Sequence, residues 1–213
     1  MNAPAIDEPR SMLGMPLTRV LLVHGAWHGA WCWQRGFAAR LADAGFDVRA
    51  MELVGRGRGP ERAGLGWTRV HDYVDEVAAA IEAMDAPPVV VGHSMGALLL
   101  RRVLTRGWPR VAGAVLLAPV PRGGVAPLAA KVLAIDPWAA LRAHATMSLW
   151  PAVSWLAWTR CMFFRSATPQ GTVDDTFQRL RDESFRAYLD MLVPEIRRPP
   201  LPGRADDGDR RRG

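Results

Sequence analysis

Apolar residues in this chain come in short continuous runs separated by longer stretches of helical period. Thr18-Arg19-Val20-Leu21-Leu22-Val23-His24-Gly25 reads as a buried strand ending in a glycine turn. From about Trp31 to Ala44 the apolar positions Phe37, Leu41 and Ala44 share one helical side, and Gly45 stops the run. Phe46 to Leu53 alternates as a strand does. Thr68 is placed to cap a helix reaching about Met84, with Val70, Tyr73, Val74, Val77, Ala80 and Ile81 at helical spacing. Pro87-Pro88 closes that segment, and Val89-Val90-Val91 is a short apolar strand of the kind parallel sheets bury. Another helix follows, running to about Thr105, and Val111 to Ala118 reads as a further buried strand.

This alternation predicts an α/β fold, a mostly parallel sheet flanked by helices. From about Gly123 strands vanish and helical segments broken by Pro137, Pro151 and Pro169 take over, with Trp138, Trp150, Trp155 and Trp158 among them. That pattern predicts a helical lid over the sheet, some of its tryptophan rings walling an apolar pocket. The expected organisation is a lead-in over 1–17, an α/β core over 18–122, a helical lid or cap over 123–196, and a tail over 197–213 that is disordered or frameshifted. The 213 residues fit one domain with a core large enough to fold without disulfides or metal.

Charge narrows the partners. Lys and Arg number 27 against 21 acids, a net charge of +6, and all but one of the bases are arginine. They are scattered, many beside acids, as in Arg179, Arg181, Asp182 and Glu183. A basic stripe with helical or aromatic readers is missing, so nucleic acid is not the expected partner. Cys32 and Cys161 lack metal-ligand spacing, so neither a metal nor a disulfide framework is expected. In Gly55-x-Gly57-x-Gly59 a proline, Pro60, breaks the dinucleotide fingerprint, and no cofactor is expected. The N-terminus does not read as a signal peptide, and Leu149 to Phe164 is too short and broken to span a bilayer. A cytoplasmic protein without a membrane partner is expected.

The chemistry concentrates in two segments. Gly92-His93-Ser94-Met95-Gly96 spells G-x-S-x-G between a strand and a helix. Such a turn exposes a serine hydroxyl on strained backbone, and the following helix points its first amides at developing negative charge. Ser94 is therefore the candidate nucleophile. Acyl transfer needs two backbone N–H donors on one oxygen; Met95 supplies one, and Ala26, in the loop after the first strand, the other. Trp27 and His28 are candidate pocket residues. These segments resemble the α/β-hydrolase superfamily. His24-Gly25-Ala26-Trp27-His28-Gly29-Ala30-Trp31-Cys32-Trp33 is similar to the esterase, methylesterase and hydroxynitrile-lyase branch. The resemblance implies an eight-stranded sheet whose third to sixth strands begin at Thr18.

In that fold an acid and then a histidine follow the serine. The histidines here are His24, His28, His71, His93 and His144, none beyond the expected lid. His24 is expected to order the oxyanion loop, His93 to point away from Ser94, and His71 to lie on the surface. The C-terminal strands are expected to be missing, and the Arg/Asp/Gly-rich tail reads as a truncated or frameshifted gene. The sequence supports a serine hydrolase acting on a small ester or amide with an apolar group, without its acid and histidine. It also supports a non-catalytic pseudoenzyme or ligand-binding module, and a lyase or acyltransferase on the same scaffold. An exposed sheet edge near Ala118 predicts self-association.

Overall fold

The computed structural model describes residues 18–34, 36–55, 64–107 and 110–195. Its sheet has four parallel strands, β1 (Arg19–Val23), β2 (Asp47–Met51), β3 (Val89–His93) and β4 (Gly113–Leu117). Their spatial order is β2-β1-β3-β4. The chain builds outward from β1 to β2 and then crosses back to place β3 on the other side. The carboxyl ends of β1 and β3 therefore meet at the point where the order reverses, and such a point opens a crevice.

All five residues of β1 are buried. Period two divides them between faces. Leu21 and Val23 pack with α3 (Val70–Glu82) and α4 (Met95–Thr105), while Val20 and Leu22 pack with Trp33, Ala38 and Leu41. A strand covered on both faces can be apolar throughout, which is why its sequence shows no alternation.

Three elements differ from the sequence reading. The single helix expected over Trp31 to Ala44 is two, α1 (Trp31–Gln34) and α2 (Phe37–Asp43). Gly36, at φ 94°, turns the backbone between them into the left-handed region. Thr68 does not cap α3. It follows a 3-10 turn (Leu65–Trp67) with extended backbone, and its carbonyl accepts the Ser184 hydroxyl. Arg69 occupies the cap position instead, its N–H donating to Asp72 at 2.7 Å. The last strand is shorter than Val111 to Ala118 and not buried along its centre: Val115 is 41% and Leu116 37% exposed. Among the described residues β4 pairs with β3 alone.

After β4 the chain is helical: α5 (Ala126–Ile135), α6 (Pro137–Thr146), α7 (Leu156–Phe163), α8 (Gln170–Arg179) and α9 (Phe185–Leu192). Asp190 ties α9 to the core, with Oδ1 2.7 Å from Arg69 Nη2 and Oδ2 accepting the Val70 N–H at 3.1 Å. The Gly55–Gly59 loop beyond its first glycine and the tail from residue 196 lie outside the described residues. No helix among the described residues is long and apolar enough to cross a membrane.

Candidate active site

Ser94 sits where β3 turns into α4, at φ 52° and ψ −114°. A non-glycine residue rarely takes this conformation unless its surroundings enforce it. Here the Ser94 N–H donates to the Leu117 carbonyl at 2.9 Å, and the Ser94 carbonyl accepts the Ala97 and Leu98 N–H groups, each at 3.1 Å. The flanking glycines are required sterically. A Cβ on Gly92 would lie 2.6 Å from the Gly96 carbonyl oxygen, and one on Gly96 would lie 2.5 Å from the Val23 and His24 carbonyl oxygens. Met95 is buried in the first turn of α4, where helix geometry gives its N–H no intrahelical acceptor.

The loop after β1 comes against this turn. A Cβ on Gly25 would stand 3.0 Å from Ser94 Cβ. Successive peptide planes of the loop are each held. His24, fully buried, donates Nδ1–H to the Gly25 carbonyl at 2.9 Å and accepts the Leu53 N–H on Nε2 at 3.2 Å. Those two bonds select one neutral tautomer. Because the peptide is trans, a Gly25 carbonyl fixed on one side turns the Ala26 N–H to the other. His28 Nδ1 donates to the Ala26 carbonyl at 2.8 Å. Trp27, at φ 60°, donates its N–H to Glu183 Oε2 at 3.3 Å and accepts the Arg181 N–H on its carbonyl at 3.0 Å.

Ala26, Trp27, Ser94 and Met95 line one cavity of about 650 Å³. Its walls come chiefly from α5 and α6, through Leu128, Val132, Leu133 and Leu141, with Met162 and Met191 beyond them. Burying an apolar group against such walls is worth roughly 25 cal/mol per Å². Some of the tryptophans Trp138, Trp150, Trp155 and Trp158 are expected to wall the pocket, and none of them lines it. Trp138 and Trp155 are 71% and 61% exposed, and short aliphatic side chains form the wall instead. Trp27 lines the cavity. His28 does not: its ring stacks on Trp31 at 5.4 Å and meets Phe163 edge-on at 5.0 Å. Three of the non-glycine residues at positive φ, Trp27, Ser94 and Ala118, border this cavity.

The histidines have separate partners. His71 lies 3.1 Å from Asp72 with its side chain half exposed. His93 packs edge-on to Trp33 and His28, and burial lowers its pKa. His144 lines the cavity, with Nδ1 donating to the Ala140 carbonyl at 2.8 Å and its ring edge-on to Phe185. Among the described residues no side chain is hydrogen-bonded to the Ser94 hydroxyl. Burial, helped by the charge of Glu52, pushes the Cys32 thiol up to about 12, so it stays protonated. Among the described residues no three His, Cys, Asp or Glu side chains converge as metal ligands.

Glu183 escaped the sequence reading. It is 1% exposed, borders the cavity, and accepts the Tyr73 hydroxyl at 3.1 Å and the Ser184 N–H at 2.7 Å on Oε1. In the sequence it stands among mixed charges, Arg179, Arg181 and Asp182, the usual mark of a solvated face. A residue 110 positions away supplies its hydroxyl partner, and local pattern cannot show that.

A parallel sheet with a strained serine between strand and helix, facing a glycine-turn loop, defines a hydrolase-type scaffold. Residues 20–210 match the alpha/beta hydrolase family, and the chain belongs to it. It is 35% identical over 123 residues to a carbendazim hydrolyzing esterase from Nocardioides sp. (strain SG-4G), covering 57% of this chain and 50% of that protein. It is 42% identical over 101 residues to a probable esterase of Oryza sativa subsp. indica, covering 46% and 37%. The chain thus spans about half, or less, of the length of these curated relatives. Among solved structures, a methylesterase from Arabidopsis superposes with a TM-score of 0.58 at 20% identity, covering 84% of this chain and 72% of that one. An extracellular alpha/beta-hydrolase from a Paenibacillus species superposes at 0.64 with 18% identity, covering 84% and 70%. Both likenesses concern the fold.

Proposed function

We propose that this chain carries the nucleophile and oxyanion site of a serine hydrolase for small esters or amides with an apolar acyl or aromatic group. The observation that carries this reading is Ser94, strained between β3 and α4, on the floor of an apolar cavity beside Ala26 and Met95. Ser94 Oγ attacks the substrate carbonyl, and the Ala26 and Met95 N–H groups receive the charge that forms on its oxygen. Two such donors in a dry site lower the barrier substantially, each being worth roughly 10²- to 10³-fold in rate. The tetrahedral species then expels the alcohol or amine, which takes up the proton given up by Ser94, and water hydrolyses the acyl-serine to the acid and a free Ser94 hydroxyl. The esterase relatives support this chemistry, and the aliphatic walls support an apolar substrate.

The proton of Ser94 needs an acceptor, and His144 is the histidine that shares its cavity. A second reading, a ligand-binding module without catalysis, is favoured by the Ser94 hydroxyl having no bonded base among the described residues. A fluorophosphonate probe separates the two. Under the hydrolase reading it modifies Ser94, by peptide mapping, and Ser94→Ala abolishes the modification. Folded protein that stays unmodified while still taking up apolar ligands would establish the binding module instead. His144→Ala tests the acceptor role: an unchanged labelling rate removes it.

A further inference from the structure

Glu183 and Arg181 stand in the short connection between α8 and α9, far in sequence from the loop after β1. Their bonds nevertheless converge on a single residue of that loop. The Trp27 N–H donates to Glu183 Oε2 at 3.3 Å, and the Trp27 carbonyl accepts the Arg181 N–H at 3.0 Å. Trp27 is held at φ 60° directly after Ala26. The same connection is anchored independently: Asp182 accepts the Ser148 hydroxyl at 2.6 Å and the Leu149 N–H at 3.0 Å, and the Ser184 hydroxyl donates to the Thr68 carbonyl. It is thus a fixed bar against which the loop is braced.

We infer that Glu183 is a positioning residue: with the Arg181 N–H it clamps Trp27 and so sets the direction of the Ala26 N–H toward the oxygen above Ser94. This rests on the serine-hydrolase reading. The physical case lies in the peptide planes. The Gly25 carbonyl is bound by His24, the Ala26 carbonyl by His28, and Trp27 on both sides by the connection. Without the last pair, no backbone bond at Trp27 opposes relaxation of a left-handed conformation that costs a non-glycine residue roughly 1–3 kcal/mol, and its ring packing against Phe163 remains. Relaxation there leaves the Ala26–Trp27 plane held only by the His28 bond to the Ala26 carbonyl, and the strain passes through the Ala26 Cα to the plane that carries its N–H. The inference also explains a buried carboxylate at the edge of an apolar cavity. Its oxygens are occupied by a hydroxyl and two backbone N–H groups, and a carboxylate has enough lone pairs for all three.

Glu183→Gln is nearly isosteric but offers one acceptor oxygen where the Trp27 and Ser184 N–H groups lie on opposite carboxylate oxygens. One of them must face an NH₂ group, and the longer Trp27 bond is the one to yield. Arg181→Pro removes the other bond while leaving the carboxylate. Leu180, at φ −57° and ψ 147°, already has the extended backbone that a following proline requires. The experiment measures three things on the full chain: hydrogen exchange of the Trp27 amide, the second-order rate of Ser94 labelling by a fluorophosphonate, and the thermal midpoint. Expected for both variants, measured well below the thermal midpoint of each, is labelling about 10- to 100-fold slower, as a displaced catalytic donor gives. For Glu183→Gln the Trp27 amide also exchanges at least about tenfold faster.

Unchanged Trp27 exchange in Glu183→Gln would overturn the clamp. So would faster exchange with parental labelling in both variants. Faster labelling in Glu183→Gln alone would show that the carboxylate acts by its charge, opposing the oxyanion, and not by position. If the parent itself fails to label, the nucleophile reading falls, while Trp27 exchange still decides whether the clamp exists.

Discussion

At the scale of single residues, steric fit outweighs intrinsic preference around Ser94. Gly96 lies inside α4, where alanine would ordinarily gain about 1 kcal/mol over glycine. A Cβ there meets the carbonyl oxygens of Val23 and His24, which belong to a strand end and cannot give way as a flexible side chain could. Gly96→Ala is therefore expected to lose about 2 kcal/mol, the scale of an overpacked core site. Denaturant unfolding read by tryptophan fluorescence checks it, and a gain in stability would refute the contact. The sequence made this residue legible, because glycine twice around one serine after an apolar strand has few other uses. Glu183 was not legible. Its neighbours Arg179, Arg181 and Asp182 give it the look of a surface residue, and only the fold brings Tyr73 and Trp27 to it.

At the scale of elements, helix boundaries were legible where one segment decides them and obscure where two segments share the decision. The end of α4 at Thr105 follows from its own apolar pattern. The start of α3 does not, since its first N–H is met by Asp190 of α9 rather than by Thr68. Burial works to raise the Asp190 pKa, but the Arg69 guanidinium, the Val70 N–H and the charge of Arg186 outweigh it and hold the carboxyl below its ordinary value. Much of the Arg69 partnership is solvent-exposed and screened. The Arg69 side-chain bond is nevertheless the largest influence lowering the pKa, and the Val70 N–H is the next. Asp190→Asn is expected to cost about 1 kcal/mol at neutral pH. A carboxyl whose folded pKa is depressed stabilises above the unfolded value, about 4, and loses that contribution as pH falls through the folded one. The gap between parent and variant is therefore expected to close below about pH 4. Urea titrations at pH 7 and pH 3 measure it, and a gap that persists in acid would show that ionisation plays no part.

At the scale of the whole molecule, the run Val111 to Ala118 has the sequence of a buried strand, but sequence shows how apolar a strand is, not how many neighbours it has. β1 and β4 are similarly apolar; β1 lies inside the sheet, while β4 closes the described order with Val115 and Leu116 partly bare. Unpaired backbone beside apolar side chains is a template for another strand. Concentration-dependent self-association is expected for the chain, and Leu116→Lys is expected to reduce it. Sedimentation velocity over a concentration series checks both, and a parent that stays monomeric throughout would refute the first.

Three strand ends border the cavity floor, and Trp27, Ser94 and Ala118 follow them in conformations that side chains ordinarily avoid. The effort of shaping the floor is thereby spent when the sheet assembles, before any ligand arrives. An incoming molecule meets a floor already shaped, and its binding energy is not consumed in forming it.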